Sequence, residues 1–244
     1  MNNELHPTVK IENLCVRKAQ QVILNDVNLT VYPGQVIGIL GHNGSGKTTL
    51  METMLGFCEF TSGKINLWGV DVDQLSATEK QKIAYVPQQD EFPENMSVED
   101  SIKLYSSFYE QWDHELTGNL LAGWNIDRNK KINQLSGGQK QKLSIVHALA
   151  ISPELIVLDE PVASLDPIAR SLFLQQLTQY VAVKKRALII SSHIVADLEG
   201  FINTLWLLND GQMQWQGPVE NVCQDFDLPD TASLEQVYRK AMQV

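Results

Sequence analysis

The sequence predicts an α/β protein: a core of mostly parallel sheet covered by helices, with an N-terminal antiparallel β subdomain and an inserted helical subdomain. Three observations predict it. Apolar residues recur at alternate positions between Val9 and Val31, the period of half-buried antiparallel strands. Short apolar runs at 36–40, 82–87, 155–161 and 187–193 then alternate with helical segments, the rhythm of βαβ units. Between Gln88 and Leu135 the strand signal stops and helical spacing replaces it.

Each element has its own local reason. Val9 and Ile11, then Val27, Leu29 and Val31, mark the antiparallel strands, and Tyr32-Pro33-Gly34 is a turn. "VIGIL" at 36–40 suits a strand buried on both faces. "KIAYVP" (82–87), "LIVLDEP" (155–161) and "ALIISSH" (187–193) are strands that end at polar residues, and helices fill 47–56 and 168–183. Ser97 and Asp100 open a helix like a capping box, followed by Val98, Ile102, Tyr105 and Tyr109 at helical spacing. A second helix over 113–125 places Leu116, Leu120, Leu121 and Trp124 on one side. The helical subdomain thus runs from 89 to about 150, within a single domain over 1–244. A hairpin turning at Asp210-Gly211 and a helix over about 232–242 form the C-terminal part, 204–244.

Composition limits the function. The chain has 244 residues, 43% of them hydrophobic, and a formal net charge of -10. This balance argues against a nucleic-acid surface or a polybasic membrane anchor. Arg128, Lys130 and Lys131 read as a solvated loop. Cys15, Cys58 and Cys223 lie far apart without metal-ligand spacing, as expected in a reducing compartment. No apolar run approaches the ~20 residues of a membrane span, and "MNNELHPTVK" is no signal peptide. The expectation is a cytoplasmic protein with no direct membrane insertion, held at a membrane, if it works there, by another protein.

"GHNGSGKT" fits the phosphate-loop pattern G-x-x-x-x-G-K-[ST], and the fold class becomes a P-loop NTPase core. Backbone N–H groups of Gly41, His42, Asn43, Gly44, Ser45 and Gly46 can point inward, and the helix from Lys47 adds its positive dipole end. Lys47 supplies a point charge for β- and γ-phosphates, the Thr48 hydroxyl can ligate Mg²⁺, and Thr49 completes the nucleotide-binding set. Asp159 and Glu160 end an apolar run, where the first can hold the Mg²⁺ shell and the second can polarise an attacking water. Gln88, just past another strand end, can reach Mg²⁺ or that water. His193 ends "ALIISSH" and can hydrogen-bond the γ-phosphate, because ligands collect at strand carboxyl ends.

"LSGGQ" at 135–139 completes a set of six motifs. With the phosphate loop 41–48, Gln88, "LIVLDE", "SLD" at 164–166 and His193, all in order, the sequence resembles the ATP-binding subunits of ABC transporters over nearly its whole length. The resemblance implies an ATPase using ATP and Mg²⁺. It implies a head-to-tail dimer with a second copy, in which Ser136 and Gly138 cap the γ-phosphate held by the other copy's Lys47. Ser-Gly-Gly at a helix N-terminus has the dipole and free N–H groups for that. It also implies an integral membrane permease subunit and a peripheral place on the cytoplasmic face of the cell membrane.

The chain departs from the family at Lys18, where an aromatic often stacks on adenine, so the choice between ATP and GTP stays open. Lys142 stands where Arg is common. "SLEQVYRKAM" (233–242) resembles the tail of ATPases that serve ABC-2-type exporters, and the expectation is a chain without the C-terminal regulatory domain of several importer ATPases. Phe92, Tyr105, Phe108, Tyr109 and Trp112 are expected at the groove that receives a cytoplasmic helix of the membrane subunit. The alternative is a soluble ABC ATPase of a cytosolic assembly, such as an iron–sulfur scaffold complex.

Overall fold

A computed structural model describes residues 6–242, apart from 90, 91, 94, 164, 166 and 184 and the side chains of 167–169. In chain order the elements are β1 (Val9–Lys18), β2 (Gln21–Val31), β3 (Val36–Leu40), α1 (Lys47–Met54), β4 (Ser62–Leu67), β5 (Val70–Asp71), α2 (Ala77–Lys80) and β6 (Ile83–Val86). Then follow α3 (Val98–Ser106), α4 (His114–Gly123), α5 (Gly137–Ala150), β7 (Leu155–Leu158), α6 (Pro167–Val183), β8 (Ala187–Ser192), β9 (Thr204–Asn209), β10 (Gln212–Pro218), α7 (Val219–Asp225) and α8 (Leu234–Met242).

β3 carries no polar side chain and is buried along its whole length, so both of its faces need cover. The six-stranded sheet runs β10-β9-β3-β8-β7-β6, and every pairing is parallel except β9 with β10. Alternate residues serve opposite layers. Ile37, Ile39, Val157 and Ile189 face a core shared with α1 and the other sheet. Val36, Leu40, Ile156, Leu158 and Ile190 face the helices. Each such fully buried aliphatic side chain is worth roughly 1.5–3 kcal/mol relative to exposure. Pro218, which lacks an N–H, closes the edge strand β10, where no ladder bond is lost.

The second sheet is antiparallel, ordered β2-β1-β4-β5. The expected strands over 9–31 are present, whereas β4 and β5 are additional to the sequence reading. Trp68 and Gly69 join them as a two-residue loop with φ of 50° and 83°. A bulky Trp seldom adopts that conformation, so the turn is hard to recognise. α7 is likewise additional. The final helix begins at Leu234 rather than 232, and α1 ends at Met54 rather than 56.

Helices α3, α4 and α5 lie in sequence between β6 and β7. The Ser97 hydroxyl accepts the Asp100 N–H at 3.0 Å, which caps α3 as expected. Trp124 at the end of α4 packs edge-on against Phe173 and donates to Gln176 Oε1 at 2.6 Å, tying this layer to α6. His147 of α5 is 6% exposed, stacked on Tyr105 at 4.5 Å between ring centres and edged by Phe92 and Trp112.

Burial pushes the pKa of His147 down to about 4. An imidazole with a depressed folded pKa is protonated first in the unfolded chain. Its contribution is therefore fully present above about pH 6.5 and lost as pH falls toward 4. Thermal unfolding followed across pH 4–7 should show His147→Phe losing about 3 kcal/mol less than the wild type over that window.

Candidate functional site: a phosphate loop facing two buried carboxylates

Residues 41–46 connect β3 to α1. Gly46 is the N-cap of α1 with φ of 106°, a left-handed conformation that spares Gly the Cβ penalty. The Leu50 N–H returns to the Gly46 carbonyl at 2.8 Å. The β9–β10 turn supports the loop from behind. Gly211 N–H donates to Ser45 O at 2.9 Å, and Asn25 N–H of β2 donates to Gly211 O at 2.9 Å. Gly211 has φ of 74°, and a Cβ there would fall 2.1 Å from Ile23 O, so only Gly fits. His42 is fixed between Asn43 O at 2.8 Å and Asp210 Oδ1 at 3.1 Å.

Lys47 is buried. Its Nζ donates to Gly41 O at 2.8 Å and His42 O at 3.1 Å, and lies 3.9 Å from Glu160 Oε1. Burial lowers its pKa, while Glu160 and Asp159 push it back up. The next residue of the helix, Thr48, donates its hydroxyl to Asp159 Oδ2 at 2.6 Å.

Asp159 and Glu160 follow β7 and are 1% and 9% exposed. The Asp159 N–H is satisfied by Val86 O of β6 at 2.9 Å. Ser191 Oγ donates to Asp159 Oδ1 at 2.5 Å and accepts the Glu160 N–H at 2.9 Å. Glu160 Oε2 accepts Gln88 Nε2 at 3.3 Å and lies 2.8 Å from His193 Nδ1. The Glu160 backbone sits at φ of 47°, a sparsely populated conformation for a residue with a Cβ, of the kind stored at functional sites.

Of the sequence-predicted residues, Lys47, Thr48, Gln88, Asp159, Glu160 and His193 join one hydrogen-bonded and ionic network. Asn43, Gly44 and Thr49 sit in the loop and the first turn of α1, with Asn43 and Gly44 exposed. Ser136 and Gly138 make none of these hydrogen bonds. Ser136 is exposed at the N-cap of α5, accepting the Gln139 N–H at 3.2 Å, while the Gln139 side chain accepts from Ser136 N at 3.2 Å. Ser164 and Asp166 of "SLD" lie outside the described residues. Ser191, Asp210 and Gly211 were not read as site residues. The signal for Ser191 is a polar side chain in a strand buried throughout, which needs a partner.

A glycine-rich loop, an inward Lys and a strand-end carboxylate pair define the class as a P-loop nucleotide-binding protein. The sequence model described as ABC transporter matches residues 24–163, more than half of the chain, and the chain belongs to this family of ABC ATPases. A putative ABC transporter ATP-binding protein of Mycoplasma pneumoniae is 32% identical over 208 residues, covering 83% of this chain and 63% of the relative. The ABC transporter ATP-binding protein YtrB of Bacillus subtilis is 33% identical over 191 residues, covering 78% and 65%. This chain thus spans somewhat less than two thirds of either relative. The Nod factor export ATP-binding protein I of Burkholderia lata is 29% identical over 214 residues, covering 86% and 70%. A solved ATP-binding subunit of an ABC transporter superposes with a TM-score of 0.87 at 25% identity, covering 96% of this chain and 99% of that one.

Ser191→Ala removes a donor from a buried carboxylate and an acceptor from the Glu160 N–H. Denaturant unfolding should show a loss of about 1–3 kcal/mol, with the sheet otherwise intact by circular dichroism.

Proposed function

We propose that this chain binds and hydrolyses ATP as a subunit of an ABC transporter, working as a head-to-tail dimer that drives export through a separate membrane subunit. The observation that carries this is the ion pair of Lys47 with Glu160 beside the Thr48–Asp159 hydrogen bond. In that arrangement a phosphate loop, a metal-shell carboxylate and a water-activating carboxylate lie side by side.

The roles follow from the chemistry. Lys47 exchanges the Gly41 and His42 carbonyls for β- and γ-phosphate oxygens, and the free N–H groups of 41–46 and the α1 N-terminus take the rest of the charge. Thr48, Asp159 and the carbonyl end of Gln88 are hard oxygen donors, the set that suits Mg²⁺. When bound, the cation would supply neutralisation of phosphate charge. Glu160 accepts the proton of the attacking water, and its second oxygen is oriented by His193 and Gln88.

Ser136 and Gly138 stand apart from this network at the N-terminus of a 14-residue helix. With their dipole and N–H groups turned outward, they cap the γ-phosphate of a second copy. ATP then joins two chains, and its hydrolysis releases them.

Among the described residues no helix is long and apolar enough to cross a membrane. In this reading the transported molecule passes through another protein, and the chain works peripherally on the cytoplasmic face. The names of the similar proteins favour a transporter over a cytosolic assembly ATPase, and the Nod factor export relative, with the "SLEQVYRKAM" tail, favours export. The docking place for the membrane subunit is a cavity of about 280 Å³ between β6, α3 and α5. Phe92, Tyr105 and Tyr109 line it, Trp112 backs His147, and Phe108 projects into solvent, 67% exposed.

Glu160→Gln should keep ATP affinity and lower turnover by roughly 10²–10⁴-fold, and size-exclusion with light scattering should find an ATP-dependent dimer. Turnover at the wild-type rate would remove the role given to Glu160.

A further inference from the structure

The phosphate loop contains a turn whose form its backbone does not decide. Ser45 N–H donates to His42 O at 3.1 Å, and Gly44 has φ of 86°, the marks of a type II turn over 42–45. Rotating the central Asn43–Gly44 peptide would give the type I form, and glycine accepts either. Packing does not choose, since a Cβ at Gly44 would meet nothing beyond its chain neighbours within 4 Å. The choice matters because the carbonyl and N–H of a trans peptide point opposite ways. The direction of Asn43 O therefore sets that of the Gly44 N–H, one of those assigned to phosphate.

The His42 ring makes the choice. Its Nδ1 lies 2.8 Å from Asn43 O and its Nε2 3.1 Å from Asp210 Oδ1. A carbonyl and a carboxylate only accept, so both contacts are hydrogen bonds only when each ring nitrogen carries a hydrogen. A neutral ring has one hydrogen to give. It goes to the carboxylate, the stronger acceptor, and leaves the Nδ1 lone pair against the Asn43 oxygen. The neighbouring charges are otherwise engaged. Lys47 meets His42 at its carbonyl, Glu160 lies beyond Lys47, and Asp26 of β2 is turned to Asn13 and Asn28.

We infer that Asp210 is a positioning residue for nucleotide binding: through a doubly protonated His42 it latches the Asn43–Gly44 peptide so that the Gly44 N–H is offered to phosphate. This rests on the reading of 41–48 as the ATP loop. The hairpin itself does not require the carboxylate. Asp210 and Gly211, with φ of 45° and 74°, form a type I′ pair that Asn-Gly fits equally well. Asp210→Asn thus keeps the turn and changes the chemistry at Nε2. Its amide can donate to a bare Nε2, which leaves the single hydrogen of a neutral ring on Nδ1 and the latch closed. In the wild type the latch holds while the ring is doubly protonated and opens as pH rises. With Asp210→Asn it stays closed.

The test is calorimetric titration of the full chain with ATP at several pH values between roughly 5.5 and 8.5. Wild type, Asp210→Asn, His42→Ala and the double variant are compared, so that titration of ATP itself and of His193 cancels. From the acid to the alkaline end, wild-type affinity should fall roughly three- to fivefold more than that of Asp210→Asn. His42→Ala and the double variant should bind ATP alike at every pH, because Asp210 acts through the ring. Simple charge repulsion predicts otherwise: removing the carboxylate would tighten ATP binding at every pH, with or without His42. An equal pH dependence in wild type and Asp210→Asn, or tightening by Asp210→Asn in the His42→Ala chain, overturns the inference and leaves the ATP reading standing. No measurable ATP binding by the wild type across the range overturns the reading of the loop, and this inference with it.

Discussion

Two carboxylates sealed at the end of one strand set the terms for the rest of the molecule. Asp159 and Glu160 are almost wholly withdrawn from water, and an unpaired buried charge is among the most costly features a fold can carry. The sheet order provides the compensation. β8 lies between β3 and β7, so Ser191 can satisfy one Asp159 oxygen while Thr48, from the helix after β3, satisfies the other. Lys47 balances the charge of Glu160, and Gln88 and His193 arrive from the ends of β6 and β8. Exchanging any two of these strands would strand a charge. The parallel core is therefore fixed by its polar end as well as by its apolar faces.

The same compensation leaves the site poised. Lys47 is held by backbone carbonyls and a carboxylate, all of which a triphosphate can replace. Glu160 is held in a conformation that costs of order 1–3 kcal/mol by the Ser191 hydroxyl on its N–H and by His193 on its carboxylate. A group fixed in this way needs little reorganisation when charge develops opposite it, which is where preorganised sites gain most.

Much of this was legible in the sequence because phosphate binding imposes residue types at fixed spacing. Gly46, Lys47 and Thr48 are each required by backbone or ligand geometry, and β3, β7 and β8 show as apolar runs. What was not legible depends on meetings between distant segments. Gly211 reads as a hairpin turn, and only the structure brings it against Ser45 and Ile23. Ser191 differs little in sequence from Ser192, yet only Ser191 lies opposite Asp159. The β4–β5 turn was hidden by Trp68 in a conformation that favours Gly or Asn. Phe108 and Tyr105 look alike as helical aromatics, but one projects into water and the other stacks on His147.

The central claim is that catalysis needs Lys47 of one copy and Ser136 of another. The most direct measurement mixes two inactive variants, Lys47→Ala and Ser136→Arg, under conditions that allow chains to exchange, and follows phosphate release. A mixed dimer holds one composite site with both residues intact, so the account predicts activity in the mixture that neither variant has alone. A mixture as inactive as its components, with exchange verified by labelled chains, would contradict it.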